Sequence, residues 1–188
     1  MPIIRRATID DVEEIVALMH EAYAPIRKLG INFASAYPTV EKVRNNIFQN
    51  LCFVYESDQK LISTLSLRMP WSNNPGPYYF PHIWWLATHP DYKGLGIGAK
   101  MLQYIETEIV QNDLHSPAVT LGTADNHPWL MKMYERKGYK KFGSQNLGKG
   151  HVTQYFIKVL QPYLFKGTAE LQQQFTNVTY EEDTQHGI

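Results

Sequence analysis

Apolar residues recur along this chain with two periods, which together predict a series of helices and strands. Spacing near 3.6 residues predicts helices over about residues 10–29, 39–49, 99–111 and 127–137. Short apolar runs bounded by turn residues predict strands over residues 3–7, 51–56, 60–68, 82–88, 117–122, 139–147 and 152–160. The order β-α-α-β-β-β-α-β-α-β-β indicates an α/β fold with a mixed, mostly antiparallel sheet flanked by helices on both faces.

The segment of residues 70–81 is rich in proline and predicts a loop. An interdomain linker is the alternative, but neither half of the chain has enough strands for a sheet of its own. We therefore expect a single domain over residues 1–160. Residues 161–188 are polar and predict a C-terminal tail or extension outside the core.

Composition and charge exclude several classes of protein. Hydrophobic residues make up 44% of the 188 residues and charged residues 19%, which is typical of a globular protein. Eighteen basic residues balance eighteen acidic ones, so no global field attracts nucleic acid or an anionic membrane. No apolar stretch approaches the roughly 18 residues of a membrane span. We expect a cytoplasmic protein without nucleic-acid or membrane partners.

The chain offers little for metal or disulfide chemistry. Cys52 is the single cysteine, which excludes an intrachain disulfide and a zinc site with two cysteine ligands. It stands in an apolar run that predicts a buried strand. The seven histidines are scattered and show no metal-ligand spacing. We therefore expect no metal site.

Glycines at alternate positions follow the predicted buried strand and precede a predicted helix. Gly94, Gly96 and Gly98 allow successive main-chain N–H groups to converge where the helix dipole is positive. Such a turn is suited to a phosphate or a diphosphate. Lys93 can add positive charge at its rim. The alternative is a turn that only permits tight packing.

Two well-known phosphate motifs fit this turn poorly. No register of the segment gives the G-x-x-x-x-G-K-[ST] pattern of a nucleotide-binding P-loop. The dinucleotide pattern G-x-G-x-x-G/A matches at Gly94, Gly96 and Ala99, which leaves an NAD-binding oxidoreductase as an alternative. However, residues 89–93 separate the predicted strand from the first glycine, whereas the dinucleotide turn follows its strand almost directly.

The segment Lys93-Gly94-Leu95-Gly96-Ile97-Gly98 resembles the central [QR]-x-x-G-x-[GA] motif of the GNAT superfamily of N-acetyltransferases. Lys93 stands where the family mostly has glutamine or arginine. The family's next motif is matched by Asn126 before a predicted helix and by the run Tyr134-Glu-Arg-Lys-Gly-Tyr139 at its end. Tyr139 replaces the usual phenylalanine. The order of elements from residue 3 to residue 160 also fits this family.

The resemblance implies the GNAT acyl-CoA N-acyltransferase fold and transfer of an acetyl group from acetyl-CoA to a primary amine. The transfer would proceed by direct attack in a ternary complex. Cofactor binding is implied along the central strand and the glycine turn, by Leu86, Ala87, Thr88, Lys93, Gly94, Leu95, Gly96, Ile97, Gly98, Ala99, Asn126 and Tyr134. An acyl-CoA-binding module without turnover is the alternative from another class of protein.

Two residues are candidates for proton transfer. Tyr134 matches the family's tyrosine that points at the sulfur, and a phenol with an ordinary pKa of about 10 is protonated and can donate at neutral pH. His82 stands four positions before Leu86, where many relatives have a glutamate or a histidine, which predicts a general base. Strand alternation would place His82, Trp84, Leu86 and Thr88 on one face. The alternatives are a core tyrosine and a histidine anchored by the proline-rich loop.

The resemblance also indicates where the acceptor binds, between the first two helices and the later strands. Tyr23, Arg27 and Trp84 are the predicted acceptor-binding residues, with further lining expected from Ile26, Phe33, Tyr37, Trp71, Tyr78, Tyr79 and the hairpin around His151. Aromatic lining favours a small amine. Core packing of these aromatics and a protein amine as acceptor are alternatives. The sequence leaves open whether the chain forms a homodimer.

Overall fold

A computed structural model describes residues 2–31 and 33–166. Their strands are β1 (Ile3–Arg6), β2 (Leu51–Ser57), β3 (Lys60–Arg68), β4 (His82–Thr88), β5 (Ala118–Ala124), β6 (Lys140–Asn146) and β7 (Val152–Val159). They form one sheet in the order β1-β2-β3-β4-β5-β7-β6. All neighbours are antiparallel except β4 and β5, which are parallel. The predicted mixed, mostly antiparallel sheet is confirmed.

The helices of the described residues are α1 (Val12–Lys28), α2 (Val40–Gln49), α3 (Ile97–Tyr104), α4 (Leu130–Arg136) and α5 (Pro162–Lys166). The helix α3 continues directly into a π-helix over Ile105–Asp113, where a longer α-helix was expected. The helix predicted from residue 127 begins only at Leu130, because Trp129 before it, with φ of −141° and ψ of −12°, lies outside the helical conformation. None of the helices in the described ranges has the length and apolarity that crossing a membrane requires.

Two buried clusters cover opposite faces of the sheet. Along β2, Phe53 and Tyr55 belong to the cluster with α3 and the π-helix, whereas Val54 belongs to the cluster with α1. Alternate residues of a strand point to opposite faces, so the helices lie on both sides, as predicted.

The first residues after the predicted domain pack against it. Phe165 of α5 is 2% exposed and lies beside Phe80, with ring centroids 5.9 Å apart. The expectation that the segment from residue 161 stays outside the core is therefore wrong at Phe165. The remainder of the predicted tail, residues 167–188, lies outside the described residues, and the boundary at residue 160 stays a prediction.

The two parallel strands at the centre of the sheet separate after a short contact. The strands β4 and β5 are paired only at His82 with Thr120 and at Ile83 with Leu121. Beyond Ile83, β4 continues with β3 as its partner and β5 continues with β7. The main chain of residues 84–88 therefore faces a gap in the sheet.

A β-bulge in β4 changes which side chains share a face. Trp85 has a φ of +54°, and the pairing with β3 shifts there, so that Trp84 faces Ser66 while Ala87 faces Thr64. The strand gains one residue, which reverses the alternation beyond this point. Trp85 consequently packs in the cluster with α1, whereas Leu86 packs in the cluster with α3.

The predicted alternation is thus wrong beyond Trp84. Trp84 lies on the face that α1 covers, but Leu86 has moved to the opposite face. A positive φ is rare for a bulky residue, and no residue pattern in the strand announces it.

Candidate active site

The gap between β4 and β5 brings two tyrosines together. The Tyr23 hydroxyl, from α1, donates a hydrogen bond to the Leu86 carbonyl oxygen at 2.8 Å. Tyr134, from α4, is 7% exposed and packs in the cluster that Leu86 borders. Two of the predicted site residues, one on each face of the sheet, therefore lie near the part of β4 that borders the gap.

Both phenols are protonated at neutral pH. Burial raises the pKa of Tyr23 to about 12, although a hydrogen bond with Ser35 opposes the rise. Burial raises the pKa of Tyr134 well above its ordinary value, and the nearby Tyr23 adds to the effect. Charged phenolates are disfavoured in such a poorly solvated place. Tyr134 can therefore act as a hydrogen-bond or proton donor at the gap.

The glycine turn is exposed and open in front of α3. Gly94 and Gly96 have φ values of +83° and +74°, a conformation that favours glycine. A Cβ atom added at either position would have no neighbour within 4 Å, so space lies in front of both. Lys93 and Leu95 are exposed beside them. The first N–H groups of α3 lack partners within the helix and can bind an anion here.

The remaining predicted cofactor residues border the same end of the sheet. Gly98 lies against β4, since an added Cβ would come within 3.2 Å of the Thr88 side-chain oxygen. Asn126 is exposed just beyond β5. Because parallel strands end on the same edge of a sheet, the ends of β4 and β5 and the glycine turn form one continuous surface.

The structure places His82 away from solvent and under the 70–81 loop. Its Nδ1 atom lies 2.9 Å from the Thr120 hydroxyl oxygen. The backbone of Gly76 lies directly on it, because a Cβ added at Gly76 would be 2.4 Å from the His82 Cβ. Burial, and then the positive charge of Arg68, lower the pKa of His82 to about 3. Such a weakly basic imidazole is a poor base for an ammonium group, so the geometry favours the anchored histidine.

Arg27, a predicted acceptor-binding residue, serves the fold. Its guanidinium donates hydrogen bonds to the carbonyl oxygens of Ala36 and His20, both at 2.9 Å. These bonds tie the segment between α1 and α2 to α1. Acceptor binding by Arg27 stays a prediction.

Arg68, which the sequence analysis did not single out, lies beside the predicted residue Trp84. The Arg68 guanidinium carbon is 3.5 Å from the centroid of the Trp84 ring. Its Nε atom is buried without a hydrogen-bond partner in the described residues. A charged residue at the end of a strand normally suggests solvent exposure, so the pattern gave no signal for this position.

A second cluster joins the segment after α1 to the far ends of β5 and β7. The Phe33 ring is stacked on His127 with centroids 6.3 Å apart, and it meets His151 edge-on at 5.7 Å and Tyr23 edge-on at 6.4 Å. Burial lowers the pKa of both histidines, with Lys149 adding to the effect at His151. Both imidazoles are therefore neutral. Trp71 and Tyr79, in contrast, are exposed by 75% and 71%.

Both nitrogens of His127 and the Nδ1 atom of His151 are buried, and no hydrogen-bond partner for them appears in the described ranges. Metal binding is not indicated, because these ranges contain no group of three or more histidine, cysteine, aspartate or glutamate residues arranged to hold an ion. The cluster is instead a partly aromatic wall with hydrogen-bonding atoms that a ligand can use.

Comparison with known proteins decides the family. The family model described as the acetyltransferase (GNAT) family matches residues 17–139, which include most of α1, the gap, the glycine turn and Tyr134. The chain belongs to the GNAT family. This assignment confirms the predicted N-acetyltransferase, which is an acyltransferase, and sets aside the oxidoreductase alternative.

Two similar relatives are N-acetyltransferases of Bacillus subtilis (strain 168). S-(2-succino)cysteine N-acetyltransferase is 52% identical over 160 residues, which cover 85% of this chain and 97% of the relative. S-alkylcysteine N-acetyltransferase is 41% identical over 167 residues, covering 88% and 93%.

Solved GNAT structures share the fold at low sequence identity. The PaiA N-acetyltransferase of Thermoplasma acidophilum, solved in complex with coenzyme A, is 18% identical and has a TM-score of 0.64. The similarity covers 85% of this chain and 99% of that one. At this level of identity it confirms the predicted fold, and the family as a whole uses acetyl-CoA.

Proposed function

We propose that this GNAT enzyme transfers the acetyl group of acetyl-CoA to the α-amino group of a cysteine S-conjugate. The observation that carries the proposal is the identity of 52% and 41% to two enzymes whose names share an S-substituted cysteine. Their names differ in the substituent on sulfur. The shared part of the acceptor is therefore the amino acid itself, with its α-amino group, α-carboxylate and thioether.

The chain has the features needed to hold acetyl-CoA. The open space in front of Gly94 and Gly96 suits a diphosphate, which the amides at the start of α3 and the Lys93 side chain would bind. The free edge of β4 over Leu86, Ala87 and Thr88 offers main-chain groups to the pantetheine arm, as an added strand would. When bound, acetyl-CoA supplies the thioester carbonyl that the amine attacks.

Tyr134 and the gap account for the departure of the thiolate. In this proposal the protonated Tyr134 hydroxyl donates to the sulfur as the carbon–sulfur bond breaks. Main-chain N–H groups on the free edge of β4 can stabilise the oxygen of the tetrahedral intermediate. The Tyr23 hydroxyl already donates a hydrogen bond to the Leu86 carbonyl oxygen. The main-chain groups left to face the reacting oxygen are therefore N–H donors rather than carbonyl acceptors.

The acceptor's ammonium group must lose a proton before it attacks. His127 and His151 carry neutral imidazoles, and both nitrogens of His127 and the Nδ1 atom of His151 are buried without a partner in the described structure. Phe33 connects the two histidines to Tyr23. His82 is already bonded to Thr120 and is covered by Gly76. The proposal therefore assigns proton acceptance to the His127–His151 cluster, in place of His82.

A panel of amines tests the proposed function. The purified enzyme is incubated with acetyl-CoA and S-(2-succino)cysteine, S-methylcysteine, S-benzylcysteine, serine, lysine or a peptide with a free N-terminus, and the acetylated products are measured by mass spectrometry. We expect kcat/KM for the cysteine S-conjugates to exceed that for the other amines by about 100-fold or more. A preference for lysine or for the peptide would contradict the proposal.

The same panel separates cofactor binding from acceptor choice. Normal binding of acetyl-CoA by calorimetry, without turnover of any cysteine S-conjugate, would also contradict the proposal. The proposed acceptor is a small molecule, and a homodimer and a cytoplasmic location stay predictions.

A further inference from the structure

We propose that Arg68 binds the α-carboxylate of the acceptor, and that the enzyme thereby selects amines that carry this carboxylate. The inference rests on the proposed function and names the residue that recognises its substrate class. It is carried by the position and the missing partner of one guanidinium group.

Arg68 is a half-buried cation without an anion. Its Nε atom has no hydrogen-bond partner, and no ion pair involves it among residues 2–31 and 33–166. Arg5 shows the usual arrangement, because it pairs with Asp11 at 2.8 Å and with Glu56 at 2.7 Å. A desolvated charge is costly unless it is paired. The missing partner of Arg68 is therefore expected to come from a ligand.

The groups that face Arg68 carry no negative charge. His82, its partner across β3 and β4, is neutral at physiological pH, and Tyr155 from β7 is a phenol whose pKa is raised by burial. Burial lowers the pKa of Arg68 itself to about 10, which leaves the guanidinium charged at neutral pH. The surroundings thus preserve a positive charge and leave it uncompensated.

Stacking on Trp84 holds the Arg68 guanidinium in an orientation that suits a carboxylate. With the guanidinium carbon 3.5 Å from the ring centroid, the planar group rests on the face of the indole. Its N–H groups point outward from its edge in a fixed fork, which matches the two oxygens of a carboxylate. A lysine at this position would keep the charge but would lack the fork.

The position of Arg68 suits an α-amino acid in particular. Arg68 pairs with His82 at the start of β4, and Trp84 stands just beyond Ile83, where β4 and β5 part. A carboxylate held at Arg68 leaves the adjacent amino group close to the free edge of β4, where the acetyl group is expected. The S-substituent would then extend away from the sheet.

The α-carboxylate, and not a carboxylate of the S-substituent, is the ligand that we assign. The names of the two Bacillus enzymes share cysteine, but only one of them specifies a succinyl group. A residue that bound only the carboxylates of the succinyl group would have no ligand in an acceptor whose sulfur carries an alkyl substituent.

Two acceptors that differ only in the carboxylate test this assignment. S-Benzylcysteine and S-benzylcysteamine are compared as acceptors for the wild-type enzyme and for the variants Arg68→Gln and Arg68→Lys. We expect the wild type to prefer S-benzylcysteine, and Arg68→Gln to lower kcat/KM for it by about 100-fold, mainly through KM. Turnover of S-benzylcysteamine should change by less than about 2-fold, and Arg68→Lys should recover part of the preference.

A matched control and a second measurement separate recognition from folding. Arg44→Gln removes the same group from the exposed surface of α2 and should leave both acceptors unchanged. Arg68 forms no ion pair whose loss would destabilise the fold, so Arg68→Gln should lower the melting temperature only slightly, through the loss of its stacking on Trp84. S-Benzylcysteine should raise the melting temperature of the wild type, and this shift should vanish in Arg68→Gln.

The outcomes distinguish this inference from the proposed function. If the wild type accepts cysteine S-conjugates but treats the two benzyl acceptors alike, the Arg68 assignment is overturned and the proposed function stands. If carboxylate-bearing amines other than cysteine S-conjugates are preferred and Arg68→Gln abolishes that preference, the Arg68 assignment stands and the proposed function is overturned. Equal losses for both acceptors in Arg68→Gln would also overturn the assignment.

Discussion

The Tyr23 hydroxyl and the Leu86 carbonyl oxygen are 2.8 Å apart and join α1 to the free edge of β4. This bond fixes the acceptor side of the gap to the strand along which the cofactor is expected. The Leu86 carbonyl is one of the main-chain groups that the separation of β4 and β5 leaves without a strand partner.

Tyr23→Phe should therefore impair the acceptor step more than cofactor binding. Loss of one hydrogen bond of about 1 kcal/mol predicts a decrease of about 5-fold in kcat/KM for the acceptor. The Kd of acetyl-CoA, measured by calorimetry, should change by less than about 2-fold. Tyr163→Phe, at a phenol exposed by 80%, is the control and should change neither value. A larger loss of acetyl-CoA affinity than of acceptor efficiency would contradict this division.

Tyr134→Phe should lower kcat with little effect on the binding of acetyl-CoA. Removal of a donor to the departing thiolate predicts a decrease of about 100-fold in kcat, measured as release of free thiol. The neighbouring Tyr139 provides a control, because its hydroxyl donates to Glu106 at 2.7 Å within the core. Tyr139→Phe should lower stability by about 1–3 kcal/mol and leave kcat nearly unchanged. Normal kcat in Tyr134→Phe would remove this residue from the chemistry.

Gly96→Val should abolish acetyl-CoA binding, since it fills the space in front of α3. Gly30, at the end of α1, is a matched control, because it also has a positive φ, of +71°, and no atom within 4 Å of an added Cβ. Valine should strain both positions by about 1–3 kcal/mol. Calorimetry should show a loss of acetyl-CoA affinity of at least about 30-fold for Gly96→Val only. Equal affinities in the two variants would place the diphosphate elsewhere.

His82 should make the fold sensitive to acid. Its pKa is about 3 in the folded protein, below the ordinary value of 6.5, so the unfolded chain binds the extra proton between these values. Stability should therefore be complete above pH 6.5 and fall at lower pH, by about 1.4 kcal/mol per unit from this group. Urea unfolding at pH 7 and pH 5 should show a smaller difference for His82→Asn than for the wild type.

His20→Asn, at an exposed histidine, should keep the full difference. His127 and His151 also have lowered pKa values and contribute to the loss of stability at low pH. The effect of His82 is therefore the difference between the wild type and His82→Asn. An unchanged pH dependence in His82→Asn would mean that this histidine is accessible to protons in the folded protein.

The sequence was sufficient for the parts of the fold that depend on local pattern. The glycine turn, the buried strand before it and the position of Tyr134 follow from spacing and motif, since each depends on neighbouring residues. The order of the elements then identified the family. Main-chain sites of this kind are readable because glycine and helix ends leave a strong signal.

The acceptor side could not be read in the same way, because it depends on residues far apart in the chain. The bulge at Trp85 reverses the alternation in β4, and only the pairing with Thr64 and Ser66 reveals it. The guanidinium of Arg27 is taken up by two carbonyl groups, whereas that of Arg68 is left unpaired. Both are arginines beside apolar residues, and the sequence gives no means of telling them apart.

The separation of β4 and β5 has a consequence for engineering. The proposed donor side of the gap consists largely of peptide groups, which remain whatever side chains the strand carries, while the proposed acceptor side consists of replaceable side chains such as Arg68 and Trp84. Amine selectivity should therefore be open to redesign by a small mutant library at those codons and around Phe33, with delivery of the acetyl group left intact. The same library, selected on non-natural thioethers, would yield biocatalysts built on an unaltered donor half.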